Sequence, residues 1–365
     1  MTTSAMGRRV AFALGLAFLV GGCNAREIDP GTTASEGLVF VQRTEHGADL
    51  WRARLGDGAV RPLLKTADSD EAWPFWSPAA EALLFQAGQP DGRTRLQLWD
   101  RRTEAVRPLT DRSHQTERWG VWSPSGERVA FAFGEGSASG IAEVDIARGE
   151  RRLVTAPRPN RVFYRPEYAP DSRRLLAIRH GETRGSATQL WILDRDRPAR
   201  RIAALHEAYI DKARFSPNGA WILFSHRRSR MGPGSLALIR PGGGGLRRFA
   251  SLPTADDHSA RYSPTRAEIA FISNRDGSRD LFLADLSGDP PRNLSSTPAF
   301  MEGGLRWSPD GQLIAVSQMV PADGRVSRAG PARPDPLATR IAVFDRQGRR
   351  IFETAGSMPD WMPPW

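Results

Sequence analysis

Short apolar runs, broken by turn residues, cover most of the chain. EIAFIS (268–273) is followed by a polar link, then DLFLAD (280–285), another turn and RNLS (292–295). Runs of this length, rich in β-branched and aromatic residues and bounded by Gly, Pro, Asn or Asp, predict strands joined by tight turns. Alternation of polar and apolar positions is weak in the middle strands. That predicts strands covered on both faces.

One turn recurs. LRWSPDGQLIAV (305–316) carries an aromatic-Ser-Pro-Asp-Gly turn between apolar stretches, and the pattern returns as WSPAA (76–80), WSPSG (122–126), YAPDS (168–172), FSPNG (215–219) and YSPTR (262–266). The prolines stand at 78, 124, 170, 217, 264 and 309, with separations of 46, 46, 47, 47 and 45. So regular a period marks a repeat architecture. Proline fixes φ at the turn, and Asp, Asn or Gly tolerates the dihedrals that follow. The aromatic closes one strand, and three further strands fill each period, which predicts the blades of a propeller.

The ends carry the closure. LVFVQ (38–42), DLWRARL (49–55) and VRPLL (60–64) read as second, third and fourth strands with no first strand before them. MPDWMP (358–363) reads as a first strand with no room for the rest. Pairing the two predicts an all-β, seven-bladed β-propeller closed by its N- and C-terminal strands, which removes two exposed edges. The alternative is six blades with the N-terminal strands packed as an extension.

These turns resemble the TolB-like propeller, or WD40-like PD40, repeat family, as does NRDGSRDLFLADLSGDPPRNLS (274–295). The likeness covers about residues 38–363. It implies a propeller with a binding role at the cell envelope. TolB itself carries a separate N-terminal domain for which this chain has no room, so the same partners are not implied. Related propellers cover the active sites of serine peptidases, but no GxSxG motif occurs here.

The first residues give an address. Arg8 and Arg9 precede the apolar run VAFALGLAFLV (10–20), then GGC ends at Cys23, the only cysteine. A basic start, a short apolar run and small residues form a secretory signal, and LVGGC resembles the bacterial lipobox. The expected division is a lipoprotein signal peptide over 1–22, a lipidated tether over 23–37 beginning at Cys23, and the propeller over 38–365. Acyl chains supply the membrane affinity. The expected place is the bacterial cell envelope, lipid-anchored at the periplasmic face of the outer membrane, although Asn24 alone does not choose between membranes.

The formal net charge is +10, nearly all arginine, since Lys65 and Lys212 are the only lysines. Loss of residues 1–22 removes two arginines and no acid, leaving +8. No zinc finger, helix-turn-helix or compact basic tract accompanies this charge, so no nucleic acid is expected. Envelope proteins or peptides are the expected partners of a monomeric propeller.

The candidate binding mouth lies where links from fourth to first strands meet links from second to third strands. It would collect Asp70, Glu71, Glu117, His206, Asp211, Asp257, His258 and Glu302, with Asp68, Glu207 and Asp256 nearby. Carboxylates from separate blades can converge on a cationic partner or on calcium. Ordinary solvated turns are the plain reading, no EF-hand loop is present, and no cofactor is predicted. Arg214, Arg261 and Arg306, each three residues before a proline, bring opposing charge to the same candidate mouth. They are expected at blade interfaces or the channel, paired with acids or gripping an anion. Trp76, Trp122 and Trp307 read as core, and Trp73 and Trp119 as core or rim packing. The long links 317–336 and 226–235 are expected to project from the binding rim.

Two functions follow. One is a protein- or peptide-binding scaffold. The other is a polysaccharide- or peptide-processing hydrolase or lyase at the propeller mouth, seeded by Asp211, Asp257 and His258. The histidines show no H-E-x-x-H pattern, and no Gly-rich phosphate loop opens a helix.

Overall fold

The computed structural model describes residues 37–44, 47–66, 69–79, 81–111, 116–135, 138–180, 187–205, 208–229, 232–250, 252–321 and 334–363. Residues 1–22, read above as a signal peptide, Cys23 and His206 lie outside the described residues.

Seven four-stranded units follow one another, each meandering outward from an inner strand. The first unit joins the chain ends. Its inner strand is Ser357–Met362, followed outward by Gly37–Thr44, Gly47–Arg54 and Val60–Leu64. Leu38 pairs with Trp361, and Gly37 with Met362, in antiparallel register. This is the split blade the missing strand implies. The inner strands of blades two to seven are Glu71–Trp76, Thr116–Trp122, Val162–Tyr168, Tyr209–Phe215, His258–Tyr262 and Met301–Trp307. A parallel bridge between Ser139 and Val162 links the third and fourth blades.

The apolar runs are explained by where their side chains go. Alternate residues of one second strand serve opposite junctions. Leu38 and Phe40 pack with Ala315, Ile341 and Val343 of blade seven. Val39 and Val41 pack with Trp76, Leu83 and Phe85 of blade two. Seven such clusters form, one at each junction. A strand buried on both sides has no polar face to show, and each fully buried Leu or Phe contributes about 1.5–3 kcal/mol.

At six junctions a third strand also bonds to the beginning of the next inner strand. The Ala48 amide donates to Asp70 Oδ1 (2.8 Å), Leu96 to Glu117 Oε2 (3.2 Å) and Ser139 to the Arg161 carbonyl (3.1 Å). Asp257 donates to the Gly234 carbonyl (3.0 Å), Glu302 to Arg279 (3.1 Å) and Gly356 to Thr339 (3.0 Å).

Every inner strand is bulged between its two ends. In six of them the residue five before the proline has positive φ: Trp73 (52°), Trp119 (55°), Arg165 (49°), Ser259 (56°), Gly304 (62°) and Met358 (54°). Five of these are not glycine, and each pays about 1–2 kcal/mol for the left-handed conformation. The bulge bends a strand that must run beside six others around one axis.

The last hairpin differs from expectation. Its strands are Leu313–Pro321 and Pro334–Asp345, and pairing reaches Pro321 opposite Pro334. The link therefore does not begin at residue 317, because antiparallel pairing continues past the apolar run.

Candidate functional site

Each residue of the recurring turn has its own task. The serine Oγ folds back onto its turn. Ser123 accepts from the Arg128 amide (3.0 Å), Ser216 from Trp221 (3.0 Å) and Ser308 from Leu313 (2.9 Å). The tryptophan reaches the preceding blade. Nε1 of Trp122 donates to the Phe75 carbonyl (2.9 Å), Trp307 to Arg261 (3.3 Å) and Trp361 to Arg306 (3.1 Å). The prolines are left to rim an opening.

That opening is a cavity of about 850 Å³. Prolines 78, 124, 170, 217, 264, 309 and 363 line it, so every blade contributes. Behind them stand Phe75, Glu167, Arg214, Arg261, Arg306 and Asp360, each three residues before its proline. The cavity thus lies at the turn end of the inner strands. The mouth expected at the link end lies four residues back along those strands, about 13 Å of extended chain. Short serines bonded to their own turns keep the turn end open.

The charges in this ring have an order. Glu167, in blade four, receives Arg214 Nη1 on both oxygens at 2.9 Å. Asp360, in blade one, holds Arg306 Nε at 3.3 Å and accepts the Trp76 amide at 2.9 Å. Between these pairs stands Arg261, in blade six, with no ion pair to a described residue. Burial holds its guanidinium well below its ordinary value, and Arg214 and Arg306 push it the same way, while Glu167 and Asp360 oppose them. Burial raises Asp360, opposed by Arg306. The Arg306 guanidinium also lies over Phe75, 5.9 Å from the ring centre.

The acids named from the sequence behave differently. Glu71, Glu117, Asp257 and Glu302 all stand seven residues before a proline and are all buried. Their side chains do not converge but bind local groups. Glu71 accepts from Thr66 (2.5 Å) and Ser69 (2.6 Å). Glu117 accepts from Thr110 and the Leu96 amide. Asp257 takes Arg275 (3.1 Å), and Glu302 takes Ser295 (2.9 Å), Thr297 (2.9 Å) and Gln318 (2.6 Å). Burial raises all four carboxyls, Glu302 to about 7. They fasten each incoming link to its blade.

The remaining candidates form pairs at the same end. Asp70 takes Arg43 (3.3 Å) as well as the Ala48 amide. Asp211 pairs with Arg227 (2.9 Å), and Asp256 with Arg279 (3.1 Å). His258 Nδ1 meets Ser259 Oγ at 3.0 Å, and burial keeps its imidazole low, at about 4. No group of three or more His, Cys, Asp or Glu suited to a metal occurs among the described residues.

Trp76, Trp122 and Trp307 are buried, and Trp119 packs on Tyr164 at 5.7 Å. Trp73 is exposed, because the bulge turns it out of the core. Glu167 and Asp360 were missed by sequence reasoning, although they share the arginines' phase. Extending that phase to all seven turns would have found them.

No protein-family model matches the chain, and no curated protein sequence matches it. Solved structures do. A puromycin hydrolase is 19% identical over 87% of this chain, with a TM-score of 0.65. The match takes in 52% of that enzyme, so the chain spans about half its length. An oligogalacturonate lyase in complex with manganese is 15% identical over 91% of this chain and 99% of its own (TM-score 0.58). TolB from Acinetobacter baumannii is 16% identical over 90% of this chain and 82% of its own (TM-score 0.52). At these identities the likeness shows the fold alone.

Proposed function

We propose that this chain is a TolB-like lipoprotein of the bacterial cell envelope whose propeller is a protein- or peptide-binding scaffold. The observation that carries the reading is the 850 Å³ cavity built jointly by all seven inner strands. Its lining combines aromatic faces with charges, a mixture suited to recognition. The signal pattern ending at Cys23 supports an anchored, extracytoplasmic molecule. Mass spectrometry of the membrane fraction is expected to find an acylated N-terminal Cys23, and Cys23→Ser to leave an unprocessed precursor.

The binding reading is tested by capture. Immobilised protein is expected to retain an envelope protein that Phe75→Arg, at the cavity wall, no longer retains. Equal retention by both forms would remove the cavity from the reading.

A second reading is a lyase or hydrolase. It is favoured by the oligogalacturonate lyase, nearly all of whose length shares this fold. Asp211 and His258 are the residues to change. Elimination or hydrolysis of an oligosaccharide or peptide, abolished by Asp211→Asn or His258→Ala in folded protein, would put this reading first.

A further inference from the structure

We propose that the central cavity binds an oxyanion, a carboxylate or phosphate group, on Arg261. The proposal names the ligand chemistry of the cavity read above as a recognition site, and it stands or falls separately from protein capture.

Three guanidinium groups occupy equivalent positions on adjacent blades: Arg214, Arg261 and Arg306. The outer two are drawn to acids on their far sides, Glu167 and Asp360. Those acids lie one blade beyond on either flank and act on the middle guanidinium only from a distance, so it has no ion pair of its own with a described residue. The ring therefore holds three cations against two anions.

A second cation stands on the inner strand of blade five, behind the cavity lining. Lys212, two residues before Arg214, makes no hydrogen bond or ion pair with a described residue. Burial disfavours its charge most, and Arg214, Arg165, Arg261 and Arg306 all repel it. Each of these cations has lost part of its water, and an unpaired charge so placed costs several kcal/mol. A compact oxyanion answers both. It offers several acceptor lone pairs, and the planar fork of Arg261 matches its geometry.

The rest of the cavity suits the body of such a ligand. Phe75 and the proline rings are apolar, and the volume exceeds what a bare ion requires. Glu167 and Asp360 set a limit, since they repel a ligand that is negative along its whole length. An anionic group on a neutral or apolar body fits best.

The test is isothermal titration calorimetry on the full protein with inorganic phosphate and, separately, succinate, with chloride added to constant ionic strength. Saturable binding of either probe is expected. Phosphate alone would assign a phosphate ligand, and succinate alone a carboxylate. Arg261→Gln is expected to weaken binding at least tenfold and Lys212→Met several-fold. Arg173→Gln, on the exposed surface, should leave binding unchanged. Without anion, Arg261→Gln should melt at or above the wild-type temperature, because it removes a half-buried charge that has no ion pair of its own. If Arg261→Gln fails to fold, Lys212→Met carries the test. Failure of both probes to saturate, equal weakening by Arg173→Gln, or a lower melting temperature for folded Arg261→Gln would overturn the proposal. Anion binding without protein capture would uphold it and reject the scaffold reading.

Discussion

Nε1 of Trp122 donates to the backbone carbonyl of Phe75 at 2.9 Å, across the junction between the second and third blades. The aromatic of the repeat is thus a fastener as well as core. Trp122→Phe should cost about 1–3 kcal/mol more than its lost area, because the carbonyl is left unsatisfied. Trp76 offers the contrast, since its buried Nε1 has no partner. Trp76→Phe should cost less, and urea denaturation of the two variants measures the difference.

Asp360 joins two blades to its own. It accepts the Trp76 amide and holds Arg306. Asp360→Ala leaves Arg306 buried beside Arg261 without its acid, which should cost about 3–5 kcal/mol. Asp360→Asn keeps an acceptor for Trp76 and should cost less. Equal losses in chemical denaturation would mean that the charge is irrelevant and only the hydrogen bond counts.

Glu302 should make stability depend on pH. Its carboxyl is raised from 4.5 to about 7, first by burial. The folded state therefore holds its proton more tightly than the unfolded state. The resulting stabilisation is fully present below about pH 4.5 and is lost as pH rises through about 7. Relative to Glu302→Gln, the wild type should lose on the order of 3 kcal/mol between pH 4.5 and pH 8. Parallel pH profiles for the two proteins would contradict this assignment.

Gly304 has φ of 62°, and an added Cβ would stand 2.8 Å from Ser317 Oγ. That oxygen also accepts the Met358 amide at 3.0 Å. Gly304→Ala should cost about 2 kcal/mol, from left-handed strain and a weakened contact with the closing strand. Thermal denaturation reads it directly.

The strands were legible where apolar runs end at turn residues. Glu268–Ser273 and Asp280–Asp285 match the runs read from sequence. The closing pair was legible as a strand lacking its partner at each end. The bulges were not, because bending is imposed by the neighbouring strands and leaves no shared residue type: Trp, Arg, Ser, Gly and Met all occupy the left-handed position. Glu71 and Glu302 look like solvated charges in sequence, since nothing local announces that hydroxyls two to seven residues before them will fold over. The phase of Arg214, Arg261 and Arg306 was legible. That Arg261 has no ion pair of its own was not, because it depends on which blades adjoin.

The pairing of Leu38 with Trp361 also sets the order in which the molecule can be completed. A ribosome delivers Gly37–Leu64 first and Ser357–Met362 last, so the earliest blade waits for its inner strand until nearly all the chain exists. During that wait it presents an unpaired, largely apolar edge. Contacts this distant in sequence slow folding. In a crowded compartment, the same edge could accept the final strand of another copy, making exchanged dimers the characteristic misassembly of this chain.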